Sequence, residues 1–150
     1  MTNSRLRILA IWMLLGSLFA WVVLTSGCIL LQPLEPSDQV IENITVKETF
    51  DLIQTNKDNP DFVILDVRTP EEFASGHIEN AINLDFLSET FREDLDQLDK
   101  SKIYLMHCRS GARSVQALPI MEELGFLEVY HMPDGILGWE AEGFPTVTSL

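Results

Sequence analysis

"IYLMHCRSGARS", residues 103–114, opens with five residues that suit a strand and closes on a glycine-containing turn that leads into a helical pattern. The run Ile103–His107 is apolar until its last residue. That is the pattern of a strand buried on both sides in a parallel sheet. Working outward, "FVILDV" at residues 62–67 is a second such run, bounded by Pro60 and by Arg68-Thr69-Pro70. Helical patterns flank both runs. Val46, Phe50 and Ile53 share a helical face that begins at Thr45, with Glu48 three places on, a capping-box pattern. Thr69, Pro70 and Glu72 repeat that start. Leu87, Phe91, Leu95 and Leu98 fall at helical spacing, residues 112–124 are helical by period with Gly125 as the stop, and a short helix is expected from Ile136 to Glu142. "AINL" and "EVYH" supply two short strands. Strands alternating with helices predict an α/β sandwich around a mostly parallel sheet.

Ligands of such sheets sit beyond the carboxyl ends of the strands, and Cys108 falls there. A strand, a tight turn and a helix start leave backbone N–H groups unused, a nest for an anion at the positive end of a helix. A thiol in that nest has its pKa lowered and its sulfur brought within reach of solvent. Arg109 and Arg113 make a positive island in a chain whose ten Lys and Arg face 23 Asp and Glu. The formal net charge of −13 opposes a nucleic-acid partner. A lone packing cysteine would not need this setting, so Cys108 is read as a nucleophile.

The motifs resemble those of the rhodanese sulfurtransferases over residues 43–147. "CRSGARS" is similar to the active-site loop, "ILDVRTPEEFASGHIENAINL" (64–84) to the first signature, and "DGILGWEAEGFP" (134–145) to the C-terminal one. The resemblance implies a rhodanese-like three-layer sandwich, with a central sheet flanked by helices. It also implies a thiosulfate-type sulfurtransferase. Cys108 thiolate attacks the outer sulfur of a donor such as thiosulfate, sulfite leaves, and cyanide or a thiol then removes sulfur from the persulfide, with ping-pong kinetics. Arg109, Ser110, Gly111, Ala112, Arg113 and Ser114 would bind the donor, and Asp66 and Arg68 would support the pocket wall through an ion pair. His77 is expected to fix a turn and His107 to pack on the opposite face from Cys108. No metal-ligand spacing occurs, and no cofactor is expected. Asp134 stands where the first glycine of the C-terminal signature is usual; Asp can tolerate a left-handed backbone but adds a negative side chain near the pocket rim. Asn80 is expected to mimic another glycine.

Two other readings stand beside this one. A persulfide relay would serve a protein partner and turn over small molecules poorly. A phosphatase or arsenate-reductase-like enzyme is opposed by the spacing, since four residues separate Cys108 from Arg113 and Ser114 stands where a phosphatase loop needs its arginine.

The N-terminal part reads separately. Ile8 to Leu31 carries no charge and as a helix would be roughly 36 Å long, enough to cross a bilayer. Arg5 and Arg7 precede it, and Glu35 and Asp38 follow, which places the domain outside the cytoplasmic membrane. "VLTSGC", residues 23–28, resembles a lipoprotein signal ending, so Cys28 is the expected lipidation site, with an uncleaved anchor or simple secretion as alternatives. The expected organisation is a signal peptide or anchor at 1–28, a tether at 29–42 and the folded domain at 43–150.

Overall fold

A computed structural model describes residues 39–149. The readings on the charge-free segment and on Cys28 lie outside the described residues. Within them the chain runs β1 (Val40–Asn43), α1 (Val46–Asn56), β2 (Phe62–Asp66), α2 (Pro70–Ser75), β3 (Ile82–Asn83), α3 (Phe91–Asp96), β4 (Ile103–His107), α4 (Ser114–Glu123), β5 (Glu128–His131) and α5 (Gly135–Ala141). The strands form one sheet in the order β1-β5-β4-β2-β3, and every pairing is parallel.

Alternation along the two central strands divides the core. On one face Leu65, Tyr104 and Met106 pack with Phe91, Leu95, Ala117 and Met121. On the other, Ile64 and Leu105 pack with Val46, Ile136 and Trp139. Helices therefore cover both faces, α3 and α4 on one and α1 and α5 on the other, and the three-layer sandwich is present. Both expected capping boxes form: Thr45 with Glu48 starts α1, and Thr69 with Glu72 starts α2. Asn80 takes the glycine-like φ of 64°.

One expectation needs correction. The tether reading of residues 29–42 missed β1, which begins at Val40 and pairs in register with β5 from Val40↔Glu128 to Asn43↔His131. Its four residues, "VIEN", include three exposed ones, so no hydrophobic pattern marks it. It is an edge strand whose order comes from hydrogen bonds to β5 rather than from local propensity. Asp134 does not use its tolerance for a left-handed backbone: it is right-handed at φ −73° and ψ −13°. The left-handed residue is the next one, Gly135, at φ 59°.

Candidate active site

Cys108 follows β4, the middle strand of the sheet, and the loop after it returns the chain into α4. Two glycines hold this loop to the start of α5. Gly111 has a φ of 84°, and a Cβ added there would strike the carbonyl of Pro133. A Cβ on Gly135 would strike the Arg109 carbonyl and come within 2.7 Å of the Cys108 carbonyl. The close approach lets Ile136 N–H donate to the Cys108 carbonyl (2.9 Å) and Leu137 N–H to that of Arg109 (3.1 Å). The carbonyls of Cys108 and Arg109 are thus taken up by α5, whereas the N–H groups of Ser110, Arg113 and Ser114 are given to no backbone carbonyl.

Those N–H groups meet the sulfur. Burial is the largest single influence on the Cys108 thiol and opposes ionisation. The Ser114 hydroxyl and the backbone N–H groups of Ser114, Arg113 and Ser110 together outweigh it, so the pKa falls below its ordinary value. The expectation that the sulfur is raised into solvent is not met. Cys108 is 1% exposed, because the loop closes around it and the Ser114 hydroxyl lies 3.4 Å from Sγ. The nest is a cup with the sulfur at its floor.

The loop arginines divide their work. Arg109 is exposed and, among the described residues, makes no side-chain hydrogen bond or ion pair, so it is free to meet an anion. Arg113 is held by Glu72 in a two-pronged ion pair, with Nη1 to Oε2 at 2.6 Å and Nη2 to Oε1 at 2.9 Å. The Arg113 hydrogen bond holds the Glu72 carboxyl down at about 2, against burial, with the Thr69 N–H assisting. Glu72 thus does two jobs, capping α2 and steering Arg113. Ser110 and Ala112 are exposed on the turn, while Ser114 is fully buried.

Asp66 and Arg68 form the expected pair. Arg68 Nε and Nη2 reach Asp66 Oδ2 at 2.9 and 2.6 Å, and Nη2 also donates to the Gly76 carbonyl at 2.6 Å. Both side chains are buried, so the pair fixes the loop after β2. His77 donates from Nδ1 to the Phe73 carbonyl at 2.9 Å and stacks on the Phe73 ring, a turn-fixing role. His107 is fully buried, its Nε2 lying 3.8 Å from Asp66 without a hydrogen bond.

Two residues near the sulfur escaped the sequence reading. Ser114 Oγ lies 2.8 Å from His131 Nε2, and His131 Nδ1 lies 2.7 Å from Asn43 Oδ1. Nothing local marks either: Asn43 ends the unrecognised strand β1, and His131 ends β5, far from Cys108 in the chain. A cavity of about 460 Å³ beside Phe50, Phe62 and Trp139 includes no residue of the cysteine loop.

The chain matches the Rhodanese-like domain family over residues 49–142. It belongs to that family. A sulfurtransferase of Allochromatium vinosum is 34% identical over 96 residues, which cover 64% of this chain and 88% of that one. A tRNA uridine(34) hydroxylase of Photorhabdus laumondii is 35% identical over 117 residues, 67% of this chain but 33% of the hydroxylase. Among solved structures, a rhodanese-related protein of Thermoplasma volcanium superposes with a TM-score of 0.61 at 30% identity, covering 72% of this chain and 99% of that one. A rhodanese-like domain protein of Staphylococcus aureus gives 0.60 at 28% identity, covering 73% and 99%. The rhodanese match spans the signatures that contain Asp66, Arg68 and the Cys108 loop.

Proposed function

We propose that this rhodanese domain is a sulfurtransferase that carries sulfur as a persulfide on Cys108. The observation that carries the reading is the cup itself: one thiol, favoured as its anion by convergent N–H groups and the Ser114 hydroxyl, with Arg113 near enough to feel the sulfur's charge and the exposed Arg109 next to it in the chain. The name of the Allochromatium relative supports sulfur transfer. The thiolate attacks the outer sulfur of a donor such as thiosulfate. A new S–S bond forms and the donor's S–S bond breaks, with sulfite leaving on the bonding pair. The persulfide is again an anion, so the same N–H groups hold it. Cyanide or a thiol then takes the outer sulfur and returns the thiolate. Ser114 supports sulfur over phosphate chemistry, because its hydroxyl is buried against Sγ where a phosphatase loop would need an arginine.

The hydroxylase's name states tRNA as that protein's substrate. A net charge of −13 opposes carrying that partner over to this chain. The uncharged stretch and its flanking charges support an exported, membrane-tethered domain, with Cys28 as the lipid site.

A second reading has an observation in its favour. The sulfur is 1% exposed, and the apolar side chains of Val115 and Leu137, which flank the loop, are 53% and 42% exposed. Such a rim suits a protein partner that delivers or collects the persulfide. The deciding experiment records the intact mass of the reduced full chain after thiosulfate and again after cyanide, beside Cys108→Ser. A gain of one sulfur atom that cyanide removes and the variant lacks is the expected result, and no gain overturns thiosulfate as donor. Steady-state thiosulfate:cyanide turnover then separates the enzyme from the relay, which would load sulfur yet turn over poorly.

A further inference from the structure

Ser114 has one hydroxyl proton and three acceptors around it. Its Oγ lies 3.4 Å from Cys108 Sγ, 3.2 Å from the Gly111 carbonyl and 2.8 Å from His131 Nε2. The far side of the imidazole decides between them. His131 Nδ1 is 2.7 Å from Asn43 Oδ1, an oxygen that only accepts, so Nδ1 carries a proton there. In the neutral ring Nε2 is then bare and must accept from Ser114. With its only proton committed, Ser114 offers Cys108 a lone pair, which suits a thiol and not a thiolate. When Cys108 ionises, Ser114 must turn its proton to Sγ, and the 2.8 Å contact with Nε2 survives only if Nε2 becomes the donor.

We propose that His131 is a positioning residue for the nucleophile, taking the Cys108 proton through Ser114 so that the thiolate forms together with an imidazolium anchored on Asn43. The Cys108 S–H bond breaks and its proton passes to Ser114 Oγ. Ser114's own proton passes to Nε2, and no electron changes hands and no co-reactant is needed. The line crosses three elements: α4 supplies Ser114, β5 supplies His131 and β1 supplies Asn43. Ser114 is fully buried and His131 is 1% exposed, so water does not replace either partner.

The surroundings keep the ring ready as an acceptor. Burial first, and the neighbouring His107 second, push the His131 pKa below its ordinary value, which favours the neutral ring. The groups that face it are Asn43 from β1, Ser114 from α4 and His107 from β4, and no carboxylate is among the influences on its titration. The thiolate that forms beyond Ser114 is the charge that stabilises the imidazolium. The two groups should therefore titrate as a pair.

This inference rests on Cys108 as the nucleophile, yet its test needs no sulfur donor and so fails or succeeds separately from the sulfurtransferase reading. In the full chain, the ultraviolet absorbance of the thiolate and the 15N resonances of the His131 ring are followed together against pH. Because the transfer leaves the number of bound protons unchanged, the expected result is a pH range in which the thiolate absorbance and a protonated Nε2 are present together, with Nε2 losing its proton only at higher pH. Gln in His131→Gln can still accept from Ser114 but cannot take a proton. The thiolate midpoint should rise by about one pH unit, and alkylation by iodoacetamide below that midpoint should slow about tenfold. Asn43→Asp, which makes the ring more basic, should move the midpoint the other way. An Nε2 that stays bare while the thiolate forms, or a midpoint unmoved in His131→Gln, overturns the proposal. Where His131→Gln does not fold, the nitrogen titration of the unaltered chain decides alone.

Discussion

The ends of β2 and β4 lie side by side in the sheet, Asp66 opposite His107, and each passes through a tight turn into a helix. They solve the same problem in opposite ways. After β2, the Thr69 hydroxyl accepts from Glu72 N–H and the Glu72 carboxylate accepts from Thr69 N–H, so the start of α2 is closed by its own side chains. The buried Asp66–Arg68 pair closes the turn before it. After β4, the start of α4 has Arg113 at the cap position and no side-chain hydrogen bond to close it. Its N–H groups favour the anionic form of Cys108 instead. A helix start that is left uncapped becomes a binding site, and one that is capped becomes a wall.

That comparison breaks most readily at the wall. Arg68→Met leaves Asp66 buried without its partner and is expected to cost about 3–5 kcal/mol in chemical denaturation. A loss below ~1 kcal/mol would mean that the ion pair is not what holds this turn. Gly111→Ala tests the cup. With a positive φ and the Pro133 carbonyl in the way, it should lose more than about 1 kcal/mol and also slow persulfide formation, whereas Gly143→Ala, at a positive φ with open space around it, should leave sulfur loading intact.

Thr69→Ala removes a cap and should cost about 1 kcal/mol while sparing the ionisation of Cys108. Equal damage to both would show that the two strand ends are one unit. Glu72→Gln probes the tie between them. The Glu72 carboxyl is held down to about 2 from 4.5, so its contribution to stability is complete above pH 4.5 and is lost as pH falls towards 2. The stability difference between the unaltered chain and Glu72→Gln should therefore be largest above pH 4.5 and shrink towards pH 2; a constant difference in thermal melts would contradict this. The smallest effect is expected from salt. With a net charge of −13, thiosulfate turnover at fixed donor should rise modestly as salt is added from a low level, and a steep fall would show that Arg109 dominates the local field.

Much of this contrast is legible before folding. Thr69-Pro70-x-Glu72 announces its own capping box, and "CRSGARS" announces an uncapped turn with a thiol in it, because both depend on residues a few places apart. Strand β1 was not legible, since an exposed edge strand of four residues has no hydrophobic period. The depth of the sulfur was not legible either, because it depends on how α5 closes against the loop at Gly135. Nor was the engagement of Arg113, whose partner Glu72 is 41 residues away.

By itself, the sequence determined the alternation of strands and helices, the two caps and the placing of a single thiol, the proposed nucleophile, in an uncapped turn, all through contacts between near neighbours in the chain. Only the tertiary structure decided that Arg113 is already paired, that Arg109 has no side-chain partner among the described residues, and that Asn43, His131 and Ser114 line up behind Cys108. The reason is physical: a hydrogen bond between distant elements leaves no period or spacing in the chain, and it exists only once the sheet has brought β1, β5 and β4 together.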